Sequence, residues 1–421
     1  MAWLALLTSG ESEPGRTPPG LVPVGGVSIL ERQVRAMRAA GAAGQLLLAP
    51  ALPAAAAERL ALCGDVIRLD TADALARALA DEPRDLILLA PGLIAGPAFP
   101  AALASGGPAI ACFEDAPGAR PPAGAERLDS ASLWAGCARL PASLVADVAA
   151  RLGDWALVPT LVRSGIEAGL PRLAVPAPDG SPARLWLLPG DAAVAEAETA
   201  LLEASRPAPG GLVARHLHIA IEAALARLLL PRGVPPLAAA LAAPLLLAGA
   251  VALAGAGAPG WSLLPLLAAG PLAGLGRRLA VAQGQAPPPA VLDSVLAVLG
   301  AAWLVALAAI LAPALGLAAV LAAGATLLLL GATLASHRAW RRVTGTALVH
   351  RTPTDRRLAL LLADPWHLAW LAAVLGLAAG WASALLGVAA AAALAFAVWH
   401  WRLLAGLVEG WSVAPEGSPP A

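Results

Sequence analysis

Residues 4–42 read LALLTSGESEPGRTPPGLVPVGGVSILERQVRAMRAAGA, and the change of period inside this stretch decides the fold. Leu4 to Leu7 continue an apolar run that starts at Trp3. A run that is apolar on both faces is the pattern of a strand buried within a parallel sheet. A loop rich in Gly and Pro follows, and then Ile29, Leu30, Val34 and Met37 recur at the spacing of one helix face. Downstream, GQLLLAP (44–50) and DLILLAP (85–91) repeat the strand pattern, while ASLVADVAARLGD (142–154) and VPTLVRSGIEAG (158–169) repeat the helical one. Residues 1–205 are therefore expected to form an α/β Rossmann-like domain of parallel strands, with crossover helices on both faces. The stretch RPAPGG at 206–211 punctuates its end.

No basic segment precedes the first apolar run, and Glu11 and Glu13 follow it at once. It is expected to be a first buried strand, not a signal peptide. Cys63, Cys112 and Cys137 share no metal-ligand spacing and read as thiols in a reduced cytoplasmic setting.

The second half has a different solvent. Hydrophobic residues make up 59% of the 421 residues and the mean hydropathy is +0.73, more than a soluble globule tolerates. Nothing between Arg232 and Arg277 is charged. The formal net charge is zero, and without a basic stripe to neutralise phosphates nucleic acid is not an expected partner. The run LVARHLHIAIEAALARLLL (212–230) sets Arg215, His218, Glu222 and Arg227 into an aliphatic helix and is expected to lie along a membrane surface.

Apolar segments then fall at about 235–257, 260–280, 290–312, 314–335, 366–381 and 383–404, each near the ~20 residues needed to cross the hydrocarbon. The chain is thus expected to divide into residues 1–205, a linker and interfacial helix at 206–234, an all-α membrane domain of about six helices at 235–405, and a polar tail at 406–421. Arginines crowd 338–357 and stand at 277–278, whereas the other connections carry none. Arg-rich short loops stay cytoplasmic, which predicts an inner-membrane, multi-pass protein with its N-terminal domain in the cytoplasm.

The opening stretch resembles the start of sugar-phosphate and polyol-phosphate nucleotidyltransferases, in which a strand, a Gly-rich loop with Arg and Lys, and a PVGG-x-P-L-hydrophobic-E-R segment precede a helix ending in AG. Gly10, Arg16, Pro23, Val24, Gly25, Gly26, Leu30, Glu31, Arg32 and Gly41 match. The resemblance implies that Gly10, Arg16, Gly25 and Gly26 form a nucleotide loop, because small residues let backbone N–H groups approach a triphosphate. Three positions depart from it, the first being Ser12 where a second loop glycine is expected. Pro19 stands where the family has its lysine, and Gly92 where the family has the acid that holds magnesium.

From about residue 201 the chain resembles the CDP-alcohol phosphotransferases, in the arrangement where an inositol-phosphate cytidylyltransferase is fused ahead of the membrane domain. That family's signature is D-x-x-D-G-x-x-A-R, about eight or nine residues, then G-x-x-x-D-x-x-x-D, whose carboxylates hold two divalent ions and act as base on the attacking hydroxyl. Here its aspartate positions fall on Gly270, Ala273, Asp293 and Ala297. Gly274 and Arg278 match, while Arg277 and Pro289 replace an Ala and a Gly.

The resemblance implies phosphate or headgroup binding by Gly274, Arg277, Arg278, Arg215 and Arg227, with Asp293 as the residual catalytic acid. The residues themselves favour Asp293 as the structural partner of Arg278 or Arg277 over a catalytic base. His216, His218 and Glu222 read as polar residues of an interfacial helix rather than a metal cluster. No cofactor is expected unless the chain is active, when Mg²⁺ or Mn²⁺ would be needed. Expected partners are the lipid bilayer, a CDP-alcohol or phosphorylated polyol, and a second copy in a homodimer. The leading expectation is a phosphotransferase relative that binds or assembles without turnover. The alternatives are an active, diverged phosphotransferase recruiting Asp355, Asp364 or Glu222, and a small-molecule transporter or flippase.

Overall fold

The structure is a computed structural model that describes residues 2–10, 16–96, 98–114, 125–152, 156–175, 186–187, 193–205, 217–289, 291–321 and 323–328, with a few positions between 390 and 402. It divides into two compact units. The first comprises Met1–Ser205, Arg227–Val234 and Leu279–Ala286; the second comprises Arg206–Ala226, Pro235–Arg278 and Pro287–Ala421.

The first unit is built on β1 (Leu4–Thr8), the short hairpin β2 (Pro23–Val24) and β3 (Val27–Ser28), α1 (Ile29–Ala39), β4 (Gly44–Leu48), α2 (Ala54–Ala61), β5 (Ile67–Leu69) and α3 (Ala72–Ala78). There follow β6 (Leu86–Leu89), β7 (Leu93–Ile94), α4 (Ala98–Ser105), β8 (Ala109–Glu114), β9 (Ser132–Leu140), α5 (Ala142–Arg151), α6 (Leu157–Glu167), β10 (Arg172–Ala174), β11 (Trp186–Leu187) and α7 (Val194–Ala204). Seven strands form one sheet in the order β10-β8-β9-β6-β1-β4-β5. β1 pairs parallel with β4 and β6, which places its C-terminal end and the loop after it at the centre of the sheet. Every residue of β1 and β6 is buried, as continuous apolar runs require.

The sheet departs from the parallel one that the apolar runs predict: β9 runs antiparallel to both β6 and β8. Arg139 of β9, 2% exposed, meets Asp85 at 2.8 Å and donates to the carbonyl of Ala104 at 2.7 Å. The apolar core on both faces joins Leu6, Leu7, Met37, Leu47, Leu86 to Leu89, Phe113 and Val145. α1 starts on a reciprocal cap, with Ser28 Oγ accepting from the Glu31 amide at 3.2 Å and donating to the Glu31 carboxylate at 3.0 Å.

The second unit holds most of α8 (Ile219–Leu229), then α9 (Pro236–Gly255), α10 (Pro259–Ala282, whose last residues belong to the first unit) and α11 (Val291–Leu315). Pro236–Gly255 and Val291–Ala314 are long and apolar enough to cross a membrane. On α9 the side chains of Leu237, Leu241 and Leu245 share one face and are exposed. Opposite them Ala243, Leu247, Ala250 and Ala254 pack against Trp303 and Leu307 of α11 and Leu266 of α10. Of the six expected crossings, the segments at 366–381 and most of 383–404 lie outside the described residues.

Candidate functional site

At the end of β1, Gly10 adopts φ +81°, a conformation that favours glycine. Its missing side chain is used by two prolines: a Cβ on Gly10 would stand 3.0 Å from Pro19 Cδ and 3.1 Å from Pro91 Cβ. Pro19 begins a turn of 3-10 helix, Pro19–Leu21, which the Gly20 amide fastens to β1 by donating to the Ser9 carbonyl at 3.0 Å. Proline suits that first position, having no N–H to leave unpaired.

Gly92 is a buried residue in the turn between β6 and β7. Gln33 of α1 holds this turn closed, its side-chain amide donating to the carbonyls of Ala90 at 2.7 Å and Leu93 at 2.9 Å. Arg16 is exposed and lines, with Thr17, Pro53, Ala55 and Arg59, an open cleft of about 510 Å³. The Arg59 guanidinium is engaged there by Glu31 at 2.9 Å.

Gly25 and Gly26 also have positive φ, +64° and +73°. Their approach surface is taken within the first unit. The Gly25 amide donates to the Glu198 carboxylate at 2.7 Å, and a Cβ on Gly25 would stand 2.7 Å from Leu230 Cδ1. A Cβ on Gly26 would overlap the backbone of Gly233. Arg32 is buried beside them and donates to the Val24 carbonyl at 2.6 Å. Burial, and next the nearby Arg35, bring its pKa down to about 10.

In the second unit, Gly270, Ala273, Gly274, Arg277 and Arg278 lie on one face of α10 at helical spacing. Arg277 forms an ion pair with Asp293 of α11, with the two side chains 53% and 47% exposed. Ala240, Ala273, Pro289, Leu292 and Leu296 close around this pair, leaving a cavity of about 10 Å³. That is about the volume one water needs. Ala297 is exposed on α11, one turn beyond Asp293. Gly276 permits α9 to approach, for a Cβ there would meet Ala240 Cβ at 2.5 Å and the Pro236 carbonyl at 2.7 Å.

Gly274 meets a residue expected to be one of the polar positions of an interfacial helix. Glu222 of α8 is 6% exposed, and a Cβ on Gly274 would stand 2.6 Å from its Oε1. Its Oε2 is buried without a hydrogen-bond partner. Burial pushes the Glu222 carboxyl up to about 7, against the pull of Arg278. Arg278 is buried as well and donates weakly to the Ile219 carbonyl at 3.5 Å. His218, 3% exposed, stands one turn before Glu222. Arg227 is exposed on α8; Arg215, His216, Asp355 and Asp364 lie outside the described residues.

The structure thus brings Gly10 together with Pro19, and Arg277 with Asp293. It also reveals the roles of Pro91, Gln33 and Glu198, which no local pattern marks, and the burial of Glu222. A glycine within an apolar helix just ahead of two arginines, with one acid in a neighbouring aliphatic helix, was the signal for the last. Among the described residues no group of three or more His, Cys, Asp and Glu side chains comes together.

No protein-family profile and no curated protein matches the chain. Solved structures similar to part of it include a nucleotidyl transferase from Methanothermobacter thermautotroptrophicus, 19% identical over 42% of this chain and 87% of that one, with a TM-score of 0.31. A CMP:2-keto-3-deoxy-manno-octonic acid synthetase complexed with CTP is 14% identical over 41% of this chain and 89% of that one, with a TM-score of 0.30. HddC from Yersinia pseudotuberculosis is 15% identical over 34% and 79%, with a TM-score of 0.27. At these identities and TM-scores the likeness assigns neither an activity nor a ligand to this chain.

Proposed function

We propose that this chain is a nucleotidyltransferase-like domain joined to a CDP-alcohol phosphotransferase-like membrane domain of the inner membrane, and that it serves binding or assembly in phospholipid or polyol-phosphodiester synthesis without turnover of its own. The observation that carries this reading is the Arg277–Asp293 ion pair, which engages the one acid left in the signature and sits over a cavity of about 10 Å³. Two divalent ions with a diphosphate need several converging oxygen ligands. One carboxylate already neutralised by a guanidinium does not fit that requirement.

The first unit supports the same reading independently. Pro19 has neither the charge nor the donor of a lysine, Gly92 has no carboxylate, and the Gly25 amide that would face a phosphate is spent on Glu198. Mg²⁺ or Mn²⁺ therefore does not fit the residues at either place. The retained arginines, Arg16 beside its cleft and Arg277 at the end of α10, suit recognition of a phosphorylated headgroup. Dimerisation through the small-residue faces of the membrane helices belongs to the same proposal.

A second reading keeps the chain active, with Glu222 in place of the lost acids, because its carboxylate lies against Gly274 next to Ala273. Titration of the full chain in lipid vesicles with Mn²⁺, followed by electron paramagnetic resonance, separates the two. No stoichiometric uptake is expected. Stoichiometric uptake that is lost in Asp293→Asn or Glu222→Gln would overturn the first reading.

A further inference from the structure

We propose that Glu222 and Arg278 form a proton-binding site between α8 and α10, in which a neutral Glu222 seats α8 on Gly274 and loss of the proton loosens it. This does not rest on the reading above. The argument begins with burial. Glu222 is 6% exposed and its Oε2 has no hydrogen-bond partner. An ionised carboxylate with that oxygen neither solvated nor bonded is costly, and the protonated form is the one such a site favours.

The seat itself is specific. Only a residue without a side chain at 274 leaves room for the carboxyl group, which comes within 2.6 Å of where that Cβ would stand. The charged and titratable groups facing Glu222 among the described residues are few. His218 lies one turn away on α8 and Arg278 lies on α10; α9 carries no charge, and the remaining acid and base nearby, Asp293 of α11 and Arg277, are joined to each other.

Arg278 attracts the carboxylate, yet Glu222 Oε2 stays buried without a hydrogen-bond partner. Deprotonation therefore creates a charge whose relief requires movement, either of Glu222 toward Arg278 or of water into the helix contact. Both loosen α8 from α10. The burial that raises the carboxyl to about 7 places this step at neutrality.

The test uses the full chain in lipid nanodiscs. Infrared difference spectra should show a protonated carboxyl stretch that disappears with a midpoint near pH 7 and is missing from Glu222→Gln. Amide exchange of residues 219–229, corrected for the intrinsic pH dependence, should rise about tenfold across the same midpoint in the wild type and stay flat in Glu222→Gln. A carboxyl that titrates in the ordinary glutamate range, or an exchange step that persists in Glu222→Gln, would overturn the proposal. The infrared titration is read on the wild type alone, so poor folding of the variant leaves the decision intact.

Discussion

Pro19 rests against Gly10: a Cβ on the glycine would come 3.0 Å from the proline ring and 3.1 Å from Pro91. The end of the central strand is thus sealed by two rings. Gly10→Ala combines a backbone conformation that L side chains rarely adopt with a collision against rigid prolines, and is expected to destabilise the first unit by about 1–3 kcal/mol. Thermal unfolding in detergent, followed by the fluorescence of the buried Trp3 and Trp134, measures it.

The strands around that seal were legible in the sequence because Leu4–Thr8, Gly44–Leu48 and Leu86–Leu89 carry few polar side chains that could face water. β9 was not, because it contains Gly136 at φ +79° and a full charge at Arg139. That charge is met by Asp85, which adjoins β6 and is remote in sequence. The paired Arg277 and Asp293 were visible as candidates from their spacing. Glu222 was not visible as a buried group, since whether a helical polar residue faces water or a neighbour depends on Gly274 of another helix.

Removal of Arg139 should be among the costliest single changes. Arg139→Ala leaves Asp85 and the Ala104 carbonyl without their donor in the sheet interior, a loss of about 3–5 kcal/mol. Arg139→Leu, which restores some packing but no donor, should lie at the lower end. Chemical unfolding of the two variants side by side checks the order.

Stability should fall with rising pH in a window set by Glu222. Its folded value of about 7 exceeds the ordinary 4.5, so the folded chain binds the proton more tightly than the unfolded one. The contribution is fully present below about pH 4.5 and is lost as the pH rises through about 7. Against Glu222→Gln, the wild type should lose up to about 3 kcal/mol across that window, at ~1.4 kcal/mol per pH unit. Paired melting curves in detergent read the difference; parallel curves for the two proteins would count against it.

The three cysteines should be silent in the folded chain. Cys63, Cys112 and Cys137 are buried, and burial pushes their thiols up, Cys112 to about 11 and Cys137 further. The thiolate is the reactive species. Maleimide should label them only after unfolding, and rapid labelling of the native protein would show that the sheet opens.

The measurement that bears most directly on the proposed absence of turnover is an assay of the purified full chain in lipid vesicles with labelled CTP or CDP-alcohols, a phosphorylated polyol or lipid acceptor, and Mg²⁺ or Mn²⁺. The expected result is retention of the labelled ligand with no release of pyrophosphate or CMP above vesicles alone, and no change on Asp293→Asn, whose exposed ion pair contributes at most about 1 kcal/mol to stability. Metal-dependent turnover that Asp293→Asn abolishes would contradict it.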